Sequence, residues 1–173
     1  LRTVLQLEQV LHLLEAIEDD IYKEVCYKKY LLMGYTLLKR SAYSTDDALK
    51  NTEDLQQILT VFDKAISFNN NDISARVGKG VVYINLEKPR QAISVLSEAI
   101  DIQGDNPHLY LIRANVEYLI DDYRNARKDY LKSYSLDTLS LESLNGVGIC
   151  ERRLKNYRSS MAYLQKASDL SKG

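Results

Sequence analysis

The sequence is poor in the residues that interrupt secondary structure, since its 173 residues include only 2 prolines and 7 glycines. An all-β fold built from short strands needs a turn residue about every dozen positions, so this scarcity excludes such a fold and favours helices. Tryptophan is absent, whereas tyrosine occurs 13 times. Hydrophobic residues make up 45% of the chain and charged residues 27%, a composition that can fill a core and argues against intrinsic disorder.

An excess of charge of one sign is also lacking. The 23 lysines and arginines nearly balance the 24 acidic residues, and the formal net charge is -1. The densest basic cluster is formed by Arg152, Arg153, Lys155 and Arg158. This cluster is too small to support nucleic-acid binding, and no run of about 18 apolar residues is present that could insert into a membrane. We therefore predict no nucleic-acid partner and no membrane insertion.

Signatures of catalysis, metal binding and targeting are missing as well. Cys26 and Cys150 lie far apart in apolar helical patterns, which predicts buried free thiols and favours a reducing compartment, cytoplasm or nucleus. His12 and His108 have no cysteine or carboxylate at ligand spacing, and no phosphate-binding glycine loop is present. We expect no catalytic activity, no cofactor and no metal. Because the chain starts at Leu1 without a signal-peptide profile, we expect it to be a piece of a longer protein of unknown localisation.

The positive feature is an internal repeat of 34 residues. Small residues recur at this spacing in three columns, and a large apolar or aromatic residue forms a fourth. The columns are Ala92, Ala126, Ser160; Ala99, Ser133, Ala167; Gly80, Ala114, Gly148; and Leu96, Tyr130, Leu164. Each copy shows the apolar spacing of two helices joined by a turn. Small side chains at fixed positions predict that the two helices cross closely, because larger ones would leave no room for the facing backbone.

These residues resemble the tetratricopeptide repeat family, whose repeat unit of the same length places Leu-Gly and Tyr in a first helix and Ala, a bulky residue and Ala in a second. Two departures from the pattern are Arg76, which replaces the first bulky residue, and Glu117, which replaces the first-helix tyrosine. The resemblance implies an all-α fold, a right-handed α-solenoid of stacked antiparallel helix pairs. It also implies that Tyr110, Tyr123, Tyr130 and Tyr157 pack between helices.

The resemblance divides the chain into repeats at residues 73–106, 107–140 and 141–173, the last with an open, uncapped end. Residues 1–72 are expected to form an N-terminal helix and a divergent helix pair with an insertion near 40–52. The N-terminal helix has two interpretations. It is either a lone second helix with Leu13 and Ala16 at the family's packing positions, or a short coiled coil on Val4, Leu7, Leu11 and Leu14.

The resemblance further implies that the first helices of the repeats line a concave face. The candidate peptide-binding residues on this face are Val77, Val81, Asn85, Leu111, Asn115, Tyr118, Asn145, Ile149 and Arg152. The apolar members would supply contact area, and an asparagine can hold a peptide backbone through its donor and its acceptor, whatever the peptide's sequence. Arg152 would meet an acidic group. Alternatively, a flanking segment of the parent protein fills this trough.

The predicted function is that of a scaffold or adaptor that binds a partner peptide or helix in the concave groove. Two alternatives stay open. The chain is an architectural or self-associating segment of a larger multi-subunit complex that uses its uncapped C-terminal end, or it is the regulatory arm of an enzyme that lies outside the chain. The C-terminal tail of Hsp70 or Hsp90 is not an expected partner. The residues that match the family's clamp for that tail are Val77, Val81, Ile112, Glu142 and Gly146, and none is a cation.

Overall fold

The computed structural model describes residues 2–16, 23–43 and 52–172. All regular structure within these ranges is helical, which confirms the predicted fold class. The helices are α1 (Arg2–Glu15), α2 (Lys23–Tyr43), α3 (Thr52–Phe68), α4 (Ser74–Asn85), α5 (Pro89–Ile102), α6 (Pro107–Leu119), α7 (Tyr123–Leu136), α8 (Leu141–Arg153) and α9 (Tyr157–Leu170). Within the described ranges, no helix is both long enough and apolar enough to span a bilayer. The chain forms two compact units, residues 1–88 and 89–173.

The core of the first unit surrounds Phe62, which is fully buried on α3. Two glycines face its ring. A Cβ atom would lie 2.5 Å from the ring if it were built on Gly34 of α2, and 2.4 Å if it were built on Gly78 of α4. Only glycine therefore lets α2 and α4 approach this aromatic side chain. The ring of Tyr35 packs edge-on against Phe62, with centroids 5.3 Å apart.

Arg76 is buried in the first unit, although it replaces a bulky apolar residue of the family pattern. Its Nη1 donates a hydrogen bond of 2.8 Å to the carbonyl oxygen of Asn70, and its Nη2 donates to Oδ1 of the same residue. These bonds tie α4 to the connection that follows α3. The arginine thus satisfies loop carbonyl groups that an apolar side chain would leave without a donor.

The N-terminal part differs from the sequence-based expectation in two respects. On α1, Leu11 and Leu14 are buried, whereas Leu13 is 68% exposed and Ala16 is also exposed. The interpretation that gave Leu13 and Ala16 packing positions was therefore wrong. This helix carries apolar residues on more than one face, and its sequence alone does not specify the buried one. In addition, α2 continues to Tyr43, so the predicted insertion near 40–52 begins as helix. Most of that insertion lies outside the described residues.

The second unit is built around close helix crossings. Ala114 of α6 and Ala126 of α7 are fully buried, as the small-residue columns predicted. Tyr130 of α7 lies against Gly146 of α8, where a Cβ atom would come within 2.5 Å of the ring. Ser160 of α9 also belongs to a small-residue column, and its hydroxyl donates 2.8 Å to the carbonyl of Gly148.

The three turns that join α4 to α5, α6 to α7 and α8 to α9 have the same geometry. Glu87, Asp121 and Lys155 have φ angles of 54°, 62° and 65°, in the left-handed region. After each of them, a backbone N–H donates to a carbonyl oxygen five residues earlier. These bonds are Lys88 to Tyr83, Asp122 to Glu117 and Asn156 to Glu151, at 2.9, 3.0 and 2.8 Å. This arrangement is the Schellman motif that ends a helix, and it recurs with the spacing of the sequence repeat.

The starts of α6, α7 and α8 carry side-chain caps. Oδ1 of Asn106 accepts a hydrogen bond of 3.0 Å from the N–H of His108 at the start of α6, which begins at Pro107. A carboxylate oxygen of Asp122 accepts from the N–H of Asn125 at 3.3 Å. The acidic pair 121–122 therefore forms a turn and a helix cap, as expected for acids at this position. Cys26 of the first unit and Cys150 of the second are both buried, and neither forms a disulfide.

Candidate peptide-binding surface

Three of the candidate residues lie in the first unit, on α4. Val77 and Val81 are half-buried, and Asn85 is exposed at the end of the helix. Asn85 borders a cavity together with Ser41 and Ala42 of α2 and with α3. The carboxamide of Asn85 is thus available at the rim of a depression within the first unit.

The other six candidates lie in the second unit, on helices α6 and α8. These two helices contact each other, and two side-chain hydrogen bonds link them. Nδ2 of Asn115 donates 3.3 Å to Oε1 of Glu142, and Nε of Arg153 donates 3.1 Å to the hydroxyl of Tyr118. We call the face that carries these bonds the α6/α8 surface. Its candidate residues are Leu111, Asn115, Tyr118, Asn145, Ile149 and Arg152.

Apolar and polar side chains alternate on the α6/α8 surface. Leu111, Tyr118 and Ile149 are half-buried and present part of their apolar area. Asn115 and Asn145 are exposed between them. Both kinds of group that a peptide needs are therefore present on the two helices, apolar area for its side chains and amides for its backbone.

The carboxamide of Asn115 is fixed by two neighbours. The hydroxyl of Tyr130 donates to its Oδ1, while its Nδ2 donates to Glu142. Because an ionised carboxylate only accepts hydrogen bonds, the glutamate determines which end of the amide faces it. One N–H and one acceptor position stay available on Asn115 after these bonds are made. The amide is therefore held in one orientation before any ligand arrives.

Asn145 differs from Asn115 in this respect. It is exposed on α8, and within the described part of the chain its side chain forms no hydrogen bond. Its full set of two N–H donors and two acceptor positions is available to a ligand. Removing this amide would consequently break no side-chain hydrogen bond among the described residues of the second unit.

At the C-terminal end of α8, the arginine with aromatic contacts is Arg153. Its guanidinium carbon lies 5.9 Å from the ring centroid of Tyr118 and 5.7 Å from that of Tyr123. Arg152, the residue selected from the sequence, is exposed beside it. The repeat register did not show that a tyrosine of α6 and a tyrosine of α7 would both lie close to the guanidinium of Arg153.

Glu117 and Glu151 are buried, and both stand at the repeat position where the family has its first-helix tyrosine. Burial raises the pKa of Glu117 to about 7, and the nearby charge of Asp129 adds to this effect. Burial also acts to raise the pKa of Glu151, but hydrogen bonds from Asn156 and Arg127 outweigh it and hold that pKa below its ordinary value. Within the described ranges, no cluster of three or more histidines, cysteines or acidic residues could hold a metal ion.

One predicted packing position was wrong. Tyr130 is buried, and Tyr110 and Tyr123 are half-buried, but Tyr157 is 62% exposed at the start of α9. Met161 follows on the same helix and is 72% exposed. Both belong to a face of α9 that no other described helix of the second unit covers.

Comparison with known families identifies the repeat directly. A sequence model described as tetratricopeptide repeat matches residues 73–106. The chain contains a tetratricopeptide repeat. Among curated proteins, the chain is similar to the Protein SGT1 homolog of Bos taurus, with 29% identity over 85 residues. The match covers 49% of this chain and 25% of that protein, so the chain spans about a quarter of the relative's length.

Solved structures of MamA share the fold of this chain. A double mutant of MamA from strain RS-1 has a TM-score of 0.78 at 17% identity, over 96% of this chain and 85% of that one. MamA from Desulfovibrio magneticus RS-1 has a TM-score of 0.64 at 16% identity, over 98% and 96% of the two chains. At these identities the similarity establishes the fold alone. A protein-interaction scaffold is the general class of function that the repeat supports.

Proposed function

We propose that this chain is a non-catalytic scaffold or adaptor whose α6/α8 surface binds a peptide or helix of a partner protein. The supporting observation is the fixed carboxamide of Asn115, which lies beside half-buried apolar side chains of the same helix. A pre-oriented amide forms hydrogen bonds with a ligand at a lower cost in conformational entropy than a free one. The α4 residues Val77, Val81 and Asn85 are proposed to contribute to partner binding as well.

On this proposal, the ligand's apolar side chains contact Leu111, Tyr118 and Ile149. Its backbone pairs with Asn115 and Asn145, whose amides can each serve a peptide N–H and a peptide C=O. Such backbone pairing tolerates many ligand sequences, and specificity then comes from the apolar contacts and from charge at the ends of α8. The tails of Hsp70 and Hsp90 remain excluded as a prediction, because the clamp cations are absent from the matching positions.

The direct test selects ligands from a phage-displayed random peptide library on the whole chain. The affinity of the best peptide is then measured for the triple variant Leu111→Asp, Asn115→Ala, Tyr118→Ala. We expect a loss of at least tenfold, since central apolar anchors dominate binding energies. Asn145→Ala provides a milder variant that removes no intramolecular bond, and we expect it to weaken binding several-fold.

The matched control is Met161→Asp, an exposed residue of α9. Circular dichroism has to show the same helicity for all variants. If Met161→Asp weakens the peptide as much as the triple variant, or if the triple variant binds normally, the α6/α8 surface is not the binding site.

The exposed face of α9 favours self-association as a second candidate function. Tyr157 and Met161 expose apolar area there, beside a depression that Lys155, Arg158 and Ala162 help to line. An apolar patch with a polar rim is typical of a protein contact. Light scattering distinguishes the two candidates. A concentration-dependent dimer that Met161→Asp abolishes supports self-association, whereas a monomer at all concentrations argues against it.

A further inference from the structure

Arg153 is held by its neighbours with one edge of its guanidinium left without a partner. Its Nε donates to the hydroxyl of Tyr118, and its guanidinium carbon lies 5.9 and 5.7 Å from the ring centroids of Tyr118 and Tyr123. The two rings also contact each other, with centroids 5.3 Å apart. Among the described residues, neither Nη1 nor Nη2 of Arg153 donates a hydrogen bond or joins an ion pair, and the residue is exposed.

An acidic side chain, Asp121, acts on Arg153 through its charge. Asp121, in the turn between α6 and α7, accepts a hydrogen bond from the hydroxyl of Tyr123. No ion pair joins Asp121 to Arg153 within the described part of the second unit, although both lie at the same end of the helices. Tyr123 therefore has two roles, because its ring supports the guanidinium and its hydroxyl donates to one oxygen of the Asp121 carboxylate.

The free edge of a guanidinium binds a carboxylate through two parallel N–H···O bonds. Such binding is strongest when the arginine is already ordered, because fewer rotamers are lost on association. Arg153 meets this condition through its hydrogen bond and its two ring contacts. Arg152 adds a second positive charge next to it, and the exposed side chain of Leu119 supplies apolar area at the same end of α6.

We propose that Arg153 is a specificity-determining residue that binds a carboxylate of the partner peptide at the C-terminal end of α8. This inference rests on the proposed function, because it names the chemical class of ligand that the α6/α8 surface prefers. The carboxylate comes either from an Asp or Glu side chain or from the peptide's own C-terminus. Tyr118 and Tyr123 are positioning residues in this arrangement.

The test uses two random peptide libraries, one with blocked C-termini and one with free C-termini, both selected on the whole chain. Enrichment of Asp or Glu in the blocked library identifies a side-chain carboxylate. Enrichment in the free library alone identifies the terminal one. The best acidic peptide and its amide counterpart, with Glu→Gln or an amidated C-terminus, are then measured against wild type and against Arg153→Gln.

We expect Arg153→Gln to weaken the acidic peptide at least tenfold. The amide peptide should bind the wild-type chain as weakly as the acidic peptide binds Arg153→Gln. The variant should bind the amide peptide little more weakly than the wild-type chain does, since the pair of arginine and carboxylate is then already absent. Arg158→Gln removes the same charge from an exposed position on α9 and should change affinity less than twofold. Tyr118→Phe keeps the ring, removes the acceptor for Nε, and should weaken the acidic peptide several-fold more than it weakens the amide peptide.

Two results would overturn the inference while leaving the proposed function intact. The first is that the selected peptides require the α6/α8 surface but carry no acidic group. The second is that Arg153→Gln weakens the acidic peptide and the amide peptide equally. If the libraries yield no peptide, or only peptides that bind the triple variant normally, the proposed function fails and the inference fails with it.

Discussion

Glu117 has a counterpart in the next repeat, Glu151. A comparison of the two carboxylates predicts how a substitution beside Glu117 changes the free energy of unfolding. Glu117 and Glu151 lie 34 residues apart, at the same repeat position. Oε1 of Glu151 accepts 3.1 Å from Arg127, and its Oε2 accepts 2.7 Å from Asn156. At the position of Asn156, the preceding repeat has Asp122, which cannot donate in its ionised form. Accordingly, Oε2 of Glu117 is buried without a hydrogen-bond partner.

The size of the effect follows from the pKa of Glu117, which burial raises from an ordinary 4.5 to about 7. Between these values the folded state binds a proton that the unfolded state has lost, so stability falls as the pH rises through this window. Each pKa unit corresponds to about 1.4 kcal/mol, and the full loss by pH 8 is about 3 kcal/mol. Below pH 4.5 the carboxyl group is protonated in both states and causes no loss.

Asp122→Asn should relieve this loss at high pH. The substitution removes one repelling charge and places an amide donor where Glu151 has one, while asparagine caps a helix about as well as aspartate. We expect a gain of about 1–2 kcal/mol in the free energy of unfolding at pH 8. Near pH 5, where Glu117 is largely protonated, the gain should be within about 0.5 kcal/mol of zero.

The assay is urea denaturation followed by circular dichroism at intervals from pH 5 to pH 8. Other titrating groups are common to all variants and cancel in the differences. The reverse change, Asn156→Asp, places a carboxylate beside Glu151 and should lose about 1–2 kcal/mol at pH 8. A gain for Asp122→Asn that is the same at every pH, or a wild-type stability that does not change over this range, would refute the reasoning.

The remaining predictions concern packing and turns in the second unit. Gly146→Ala should lower the free energy of unfolding by about 1–3 kcal/mol through its contact with the ring of Tyr130. The double variant with Tyr130→Leu should recover part of that loss. One repeat earlier, Leu96 stands at the position of Tyr130 and the larger Ile112 at the position of Gly146. If the losses of the two single substitutions simply add in the double variant, this prediction is contradicted. Lys155→Gly should raise stability by about 0.5–1 kcal/mol, since the residue has a positive φ. Thermal denaturation measures all three variants, and a lowered Tm for Lys155→Gly would contradict the last prediction.

The repeated features of the fold could be predicted because they depend on local chemistry and on fixed spacing. Glycine and alanine columns predicted the close crossings at Ala114 and Ala126, and the interruptions of the apolar pattern predicted the turns. The packing of α1 could not be predicted, because a helix with apolar residues on several faces is oriented by its neighbours. Leu13 is exposed for that reason, although it matched the family pattern.

The positions of the candidate surface could be predicted from the sequence. Which of their side chains are held by hydrogen bonds or ring contacts could not. A tyrosine of α7 and a glutamate of α8 hold Asn115, whereas Asn145 has no comparable neighbour within the described ranges. Likewise, Arg153 rather than Arg152 lies over the two tyrosine rings. These differences arise from contacts between residues far apart in the sequence, and a one-dimensional pattern does not contain them.

The central claim is that partner peptides bind on α6 and α8. The most direct measurement is an NMR titration of the isotope-labelled chain with the best selected peptide, observing asparagine side-chain amides together with isoleucine and methionine methyl groups. The account predicts that the amide of Asn145 and the methyl groups of Ile149 shift most, while the methyl group of Met161 on α9 does not change. Large shifts at Met161, with Asn145 and Ile149 unaffected, would contradict it.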